Sequence, residues 1–101
     1  MMNNQFGQRL GSNQVVTPAV ASASVNVNPQ DKAVRLVNTG LNVCYVRIGT
    51  GAQTATTADI PVRAASEVII RKLDGADTVA YISAAGLVGT TLNIATGEGG
   101  V

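Results

Sequence analysis

The chain has 101 residues, seven Lys and Arg against six Asp and Glu, and no histidine. That length holds one domain, which buries roughly 60% of the surface its unfolded chain exposes; the near-neutral charge lacks the basic excess that nucleic-acid binding draws on. Without an imidazole, the usual neutral-pH general base, the commonest metal ligand and every Ser-His or Cys-His nucleophile pairing drop out.

Along the chain, residues 1–13 (MMNNQFGQRLGSN) are polar, contain glycine and show no apolar period. They are expected to form a flexible arm that orders on a partner, with Phe6, Arg9 and Leu10 as its contact side chains. A β domain is expected over 14–101. Val15-Val16-Thr17 forms a short first strand that Pro18 ends. AVASASVNV, residues 19–27, alternates with Val25 and Val27 on one face, and Asn28-Pro29-Gln30-Asp31 is a turn by composition. Ala33 to Asn38 is a strand with Val34 and Leu36 on one face and Arg35 and Val37 on the other. Asn38-Thr39-Gly40-Leu41-Asn42 reads as a hairpin loop whose glycine supplies positive φ, with Val43 to Ile48 as the return strand, Cys44, Val46 and Ile48 sharing a face. Ala58 to Val62 is a short edge segment, because Pro61 cannot donate to a ladder. Glu67 to Leu73, Thr78 to Ala84 and Thr90 to Ala95 complete the set, separated by turns at 74–77 and 86–89, with Gly97 to Gly100 ending the chain.

No window of helical length carries the 3.6-residue period. Seven or eight short strands with turn signals between them make a single all-β domain, a small β-sandwich, of which the jelly roll is one type. The core must be built from small and β-branched side chains: 14 Ala and 14 Val stand beside six Ile, six Leu, one Phe, two Tyr and no Trp. Each buries less area than an aromatic does, so burial against a partner would add stability. The lone Cys44 sits inside an alternating strand and reads as a small buried hydrophobe. No intramolecular disulfide, secretory leader or membrane span is expected.

The residues that could carry chemistry are few. Asp74 and Asp77 flank a Gly turn, but a calcium loop needs more oxygen ligands at set spacing, and they read as solvated turn residues. A glycosidase carboxylate pair would lack an aromatic platform for the sugar. Gly49-Thr50-Gly51 begins like a dinucleotide fingerprint, but position 54 is Thr, no helix follows and no lysine stands where a phosphate loop needs one. No catalytic residue, metal site or cofactor is therefore expected, and no nucleic-acid or membrane partner. The Gly/Thr/Ala run is instead a candidate protein-contact loop over 49–58, with Gly49, Thr50, Gly51, Thr54, Thr56 and Thr57 as contact residues. Arg35, Arg47, Arg63 and Arg71 are scattered singly. One or two of them could form bidentate bonds to carboxylates across an interface.

Three strings, VRLVNTGLNVCYVRIGTGAQTATTADIPV, VAYISAAG and TTLNIATGEGG, resemble a group of small virion-associated proteins of tailed bacteriophages and prophages. The resemblance covers Val34 to Gly100, about two-thirds of the chain. It implies a small all-β module of the phage head or neck. More narrowly, it implies a capsid cement or decoration protein on the outside of the virion, made in the bacterial host cytoplasm. Such a protein stabilises the head by bridging neighbouring major capsid protein subunits, and self-association as a homotrimer is the expected assembly. The other readings are a neck, tail or fibre-attachment component, and a carbohydrate- or receptor-binding β module.

Overall fold

The structure is a computed structural model and describes residues 5–99. Nine strands run in chain order: β1 (Gly7–Gln8), β2 (Gln14–Val16), β3 (Ala23–Asn26), β4 (Ala33–Asn38), β5 (Cys44–Gly49), β6 (Ile60–Val62), β7 (Ser66–Arg71), β8 (Thr78–Ile82) and β9 (Leu92–Glu98). No helix occurs among the described residues, so none there is long and apolar enough to cross a membrane. The strands form two antiparallel sheets. Sheet A has the order β1-β9-β4-β7, with β2 also paired to β9, and sheet B has the order β3-β8-β5-β6.

The pairings are nested. β5 pairs with β6, β4 with β7, β3 with β8, and β2 with β9. The chain is thus one long antiparallel ribbon, folded back on itself at residues 50–59 and rolled so that successive segments fall in alternate sheets. Two further pairings, β4 with β9 and β5 with β8, close each sheet. This is the two-sheet, eight-stranded order of a jelly roll, with β1 as an added segment beside the end of β9. The connections gather at two ends. Residues 17–22, 39–43, 63–65 and 83–91 lie at one, and 27–32, 50–59 and 72–77 at the other.

The alternation read from the sequence sets the two inner faces. Val34, Leu36, Leu92 and Ile94 from sheet A meet Cys44, Val46, Val62, Val79 and Tyr81 from sheet B, and Val16, Val25, Val27, Ile48 and Ile70 pack around them. Cys44 is fully buried, and burial pushes its thiol up to about 11. It is a neutral packing group.

Four local expectations give way to tertiary constraints. The segment 33–48 is not a hairpin, because β4 lies in sheet A and β5 in sheet B; two adjacent strands with a Gly loop look the same in sequence whether they pair or cross over. Gly40 is not among the positive-φ residues. It is needed for close approach, since a Cβ there would stand 1.9 Å from Thr90 Oγ1 and 2.6 Å from Thr90 Cα. The last strand runs on to Glu98, because residues 97 and 98 pair with β1 and Gly97 also pairs with Ala33 of β4, and the glycine lets the β1 backbone come close: a Cβ at residue 97 would meet the Gly7 carbonyl oxygen at 1.9 Å. Finally, residues 19–22, read as strand, form the crossover between β2 and β3.

Asn38 closes the end that holds loops 39–43 and 83–91. Its amide nitrogen donates to the carbonyls of Asn42 (2.8 Å) and Val62 (3.0 Å), and its oxygen accepts from Gly40 N–H (2.9 Å) and the Thr90 hydroxyl (2.7 Å). Asn38→Ala is expected to leave several of these groups unsatisfied in a buried site and to cost about 2–4 kcal/mol, read as a lower midpoint in chemical denaturation. Cys44 is expected to resist thiol reagents in the native protein and to react in step with global unfolding, which timed alkylation at rising denaturant measures.

Candidate functional site

The segment expected to be a free arm lies, over its described part, against sheet A. Residues 1–4 of it are outside the described residues. Gly7 and Gln8 pair with Glu98 and Gly97, Arg9 N–H donates to the Thr96 carbonyl at 2.8 Å, and the Ser12 hydroxyl bonds the backbone of Thr96. The main fastening is ionic. Arg9 Nε and Nη2 donate to both carboxylate oxygens of Asp31 at 2.7–3.0 Å, and Asp31 also accepts from the Thr96 hydroxyl at 2.6 Å. Asp31 is only 3% exposed. A buried carboxylate is tolerated when its lone pairs are filled by charged and neutral donors, and a fork-shaped guanidinium fills two at once.

Lys72 sits behind this pair, also buried, with Nζ donating to the Pro29 carbonyl at 3.2 Å. The electrostatics follow. The Arg9 hydrogen bonds hold the Asp31 carboxyl below its ordinary range against the opposing effect of burial, with Thr96 and Lys72 helping. Asp31 in turn raises Arg9. Desolvation lowers Lys72.

Phe6, Arg9 and Leu10 differ in what they offer. Phe6 is half-buried and Arg9 is committed to Asp31, whereas Leu10 is 96% exposed and unpacked. A cleft of about 420 Å³ opens between residues 7–10 and Asp31, Gly97 and Glu98. Its volume lies in the range of small-ligand sites, but of its three charged residues Arg9 and Asp31 are spent on each other and Glu98 accepts from the Lys32 N–H at 3.2 Å.

The loop after β5 does not project as a free contact arm. It folds back across the outer face of sheet B. Ala55 N–H donates to Ser22 Oγ beside β3 (2.8 Å), Gly51 N–H donates to the Asp77 carboxylate (3.0 Å), and Asp77 N–H donates to the Gly49 carbonyl (3.0 Å). Asp59 accepts from Thr56 N–H (2.7 Å) and from Arg47 (3.1 Å), which returns the loop to β5. Those bonds lower Asp59, the Thr56 amide first, and lower Asp77, the Gly51 amide first. Ala80 points to the outer face yet is fully buried, and Ala55 is buried with it. Gly49 is half-buried against the Gln53 side chain, where a Cβ would come within 2.6 Å. Thr50, Gly51, Thr54, Thr56 and Thr57 stay exposed on the loop's solvent side. No hydrogen bond or ion pair joins this loop to the arm among the described residues, so the two sets of candidate contact residues are separate surfaces.

The opposite end was not singled out in the sequence. Its loops carry Val20, Leu41, Leu87 and Val88, half of the exposed large hydrophobics among the described residues, with Leu41 at 92%. Asn42 Nδ2 donates to the Val88 carbonyl at 3.3 Å, which ties the loop at 39–43 to the loop at 83–91. Arg63 is the only charged residue in those four loops. The clue was an apolar residue inside a glycine turn, in NTGLN and AAGLVG, where turn chemistry alone predicts polar ones. Among the described residues, no three Cys, Asp or Glu side chains converge as metal ligands would.

Compared with known proteins, the chain matches no family model, no curated sequence and no solved structure.

Asp31 gives the arm a pH dependence with a defined sign. Its carboxyl is held below the ordinary 3.8 in the folded state, so the stability it contributes is present above that value and is lost as pH falls through the folded one. Acid titration of Arg9 amide exchange is expected to show protection falling on the acid side of 3.8. Arg9→Ala is expected to raise exchange at residues 7–9 already at neutral pH while residues in β4 and β8 keep their protection.

Proposed function

We propose that this chain is a structural protein of a tailed-phage virion, a capsid cement or decoration protein that binds neighbouring major capsid subunits and assembles as a trimer. The observation that carries the reading is the apolar, nearly uncharged end formed by loops 17–22, 39–43 and 83–91, opposite a charged end. Apolar side chains at loop tips are costly to leave in water, and in a rigid sandwich they suit a surface covered by another protein. The ion pairs Arg9–Asp31, Arg47–Asp59 and Lys32–Asp74 all serve the fold elsewhere on the molecule. The phage-like strings named above supply the kind of partner. Interfaces of standard size bury about 1,600 Å² in total, a large gain for a domain with so few bulky core residues.

The test is the protein composition of purified particles. A copy number comparable to that of the major capsid protein is expected. A handful of copies per particle would move the assignment to the neck or tail, and absence from particles would remove it. Leu41→Asp with Leu87→Asp is expected to lower shell occupancy at least about tenfold, the equivalent of 1.4 kcal/mol, while the isolated variant keeps its native denaturation midpoint.

A further inference from the structure

The four sheet edges are not equivalent. β6 is three residues long and contains Pro61, which has no N–H to donate. β3 has its last carbonyl, that of Asn26, occupied by the Gln14 side chain at 2.7 Å. The far edge of sheet A is split into β1 and β2, with residues 9–13 between them. β7, in contrast, is six residues long, ends sheet A, and has no proline or lysine and no charge pointing inward. Long open edges of this kind pair with other strands unless something blocks them.

The ladder tells which groups of β7 are free. Lys72 N–H bonds the Lys32 carbonyl, one step past the Ala33–Arg71 partners. Hydrogen-bonded pairs alternate in an antiparallel ladder, so Val68 and Ile70 turn their backbone groups toward β4. Glu67, Ile69 and Arg71 turn theirs to the open edge, and their side chains share the outer face of the sheet. The sequence SEVIIR is self-complementary about Ile69. In an antiparallel pairing of two copies centred there, Ile69 faces Ile69, Val68 faces Ile70, and Glu67 faces Arg71 twice over. The open backbone groups of both strands then fall in hydrogen-bonded positions together. Arg71 has no carboxylate partner among the described residues, and Glu67 is bonded by Arg35 of its own chain on one side. Pairing would set each Glu67 between Arg35 and the Arg71 of the other copy.

From this the geometry points to β7 as a two-fold contact between copies of this chain, continuing sheet A across the dimer with the Glu67–Arg71 pairs fixing the register. An isologous contact of this kind is independent of the virion reading and of any threefold assembly. Like charges directly opposite on paired strands are destabilising and opposite charges stabilising, so Glu67→Arg and Arg71→Glu should each abolish self-pairing, yet each variant is complementary to the other.

The experiment is sedimentation equilibrium of the wild type, of each variant and of their equimolar mixture, with circular dichroism to confirm that each variant is folded. Expected are concentration-dependent two-fold pairing of the wild type (monomer to dimer, or trimer to hexamer where the trimer forms), loss of that pairing in either variant alone, and its return on mixing. A wild type that stays monomeric to millimolar concentration, or dimers that persist equally in both variants, would overturn the contact. Ile69→Cys gives an independent reading that needs no charge change: facing Cα atoms in a hydrogen-bonded pair lie about 5.5 Å apart, within disulfide reach. Mild oxidation is expected to yield a covalent dimer, and failure to do so under conditions where the variant is folded counts against the register.

Discussion

The side chain of Asn38 is where the two halves of this protein are fastened. It belongs to β4 in sheet A, yet its amide donates to Val62 in sheet B and to the loop that leads into β5, and its oxygen receives the Thr90 hydroxyl from the loop before β9. A core of valines, leucines and isoleucines holds two sheets together over their area but leaves their ends open, because backbone at a crossover still needs hydrogen-bond partners. One buried amide supplies three of them and takes a fourth bond from the Thr90 hydroxyl. The neighbouring glycine is fixed by the same closure, since Thr90 leaves no room for a Cβ at residue 40.

The other end is fastened by charge. Asp31, Arg9, Thr96 and Lys72 bring together residues from four parts of the chain, and the carboxylate sits where a neutral core residue would otherwise be needed. The two ends thus use different chemistry and present different surfaces: amide and apolar loops at one, ion pairs and acidic turns at the other. A rigid body with two unlike ends presents a different surface in each direction.

Much of the fold was legible in the sequence, and the reason is the period of two. Ala33–Asn38 has the bounds the alternation gave it, and the inward residues Val34, Leu36, Cys44, Val46, Leu92 and Ile94 follow from the same rule. Pro61 marked β6 as an edge. What alternation does not contain is which strand is the neighbour. Residues 38–42 have hairpin composition and make a crossover. The polar, glycine-containing segment before residue 14 has no period of its own, so its ordering by a single arginine on a carboxylate 22 positions away left no local trace. The loop over 49–58 was legible as a loop, but its folding back over Ala80 depends on Ser22 and Asp77, both distant in sequence. The apolar end came from placing three loops together, which only the topology does.

The nested pairing has a consequence for how the chain reaches this state. Its innermost partners, β5 and β6, are close in sequence, while each outer pair must enclose everything between. β9 lies in the middle of sheet A and is the last strand to be made. While a ribosome is still producing residues 92–98, β4 has one neighbour missing and β1 and β2 have none. Half of the molecule must therefore wait, with its inner face uncovered, for the final strand to slot between them. Because non-local closures are slow, the interval before β9 docks, more than the finished structure, is when this domain is most exposed to mispairing.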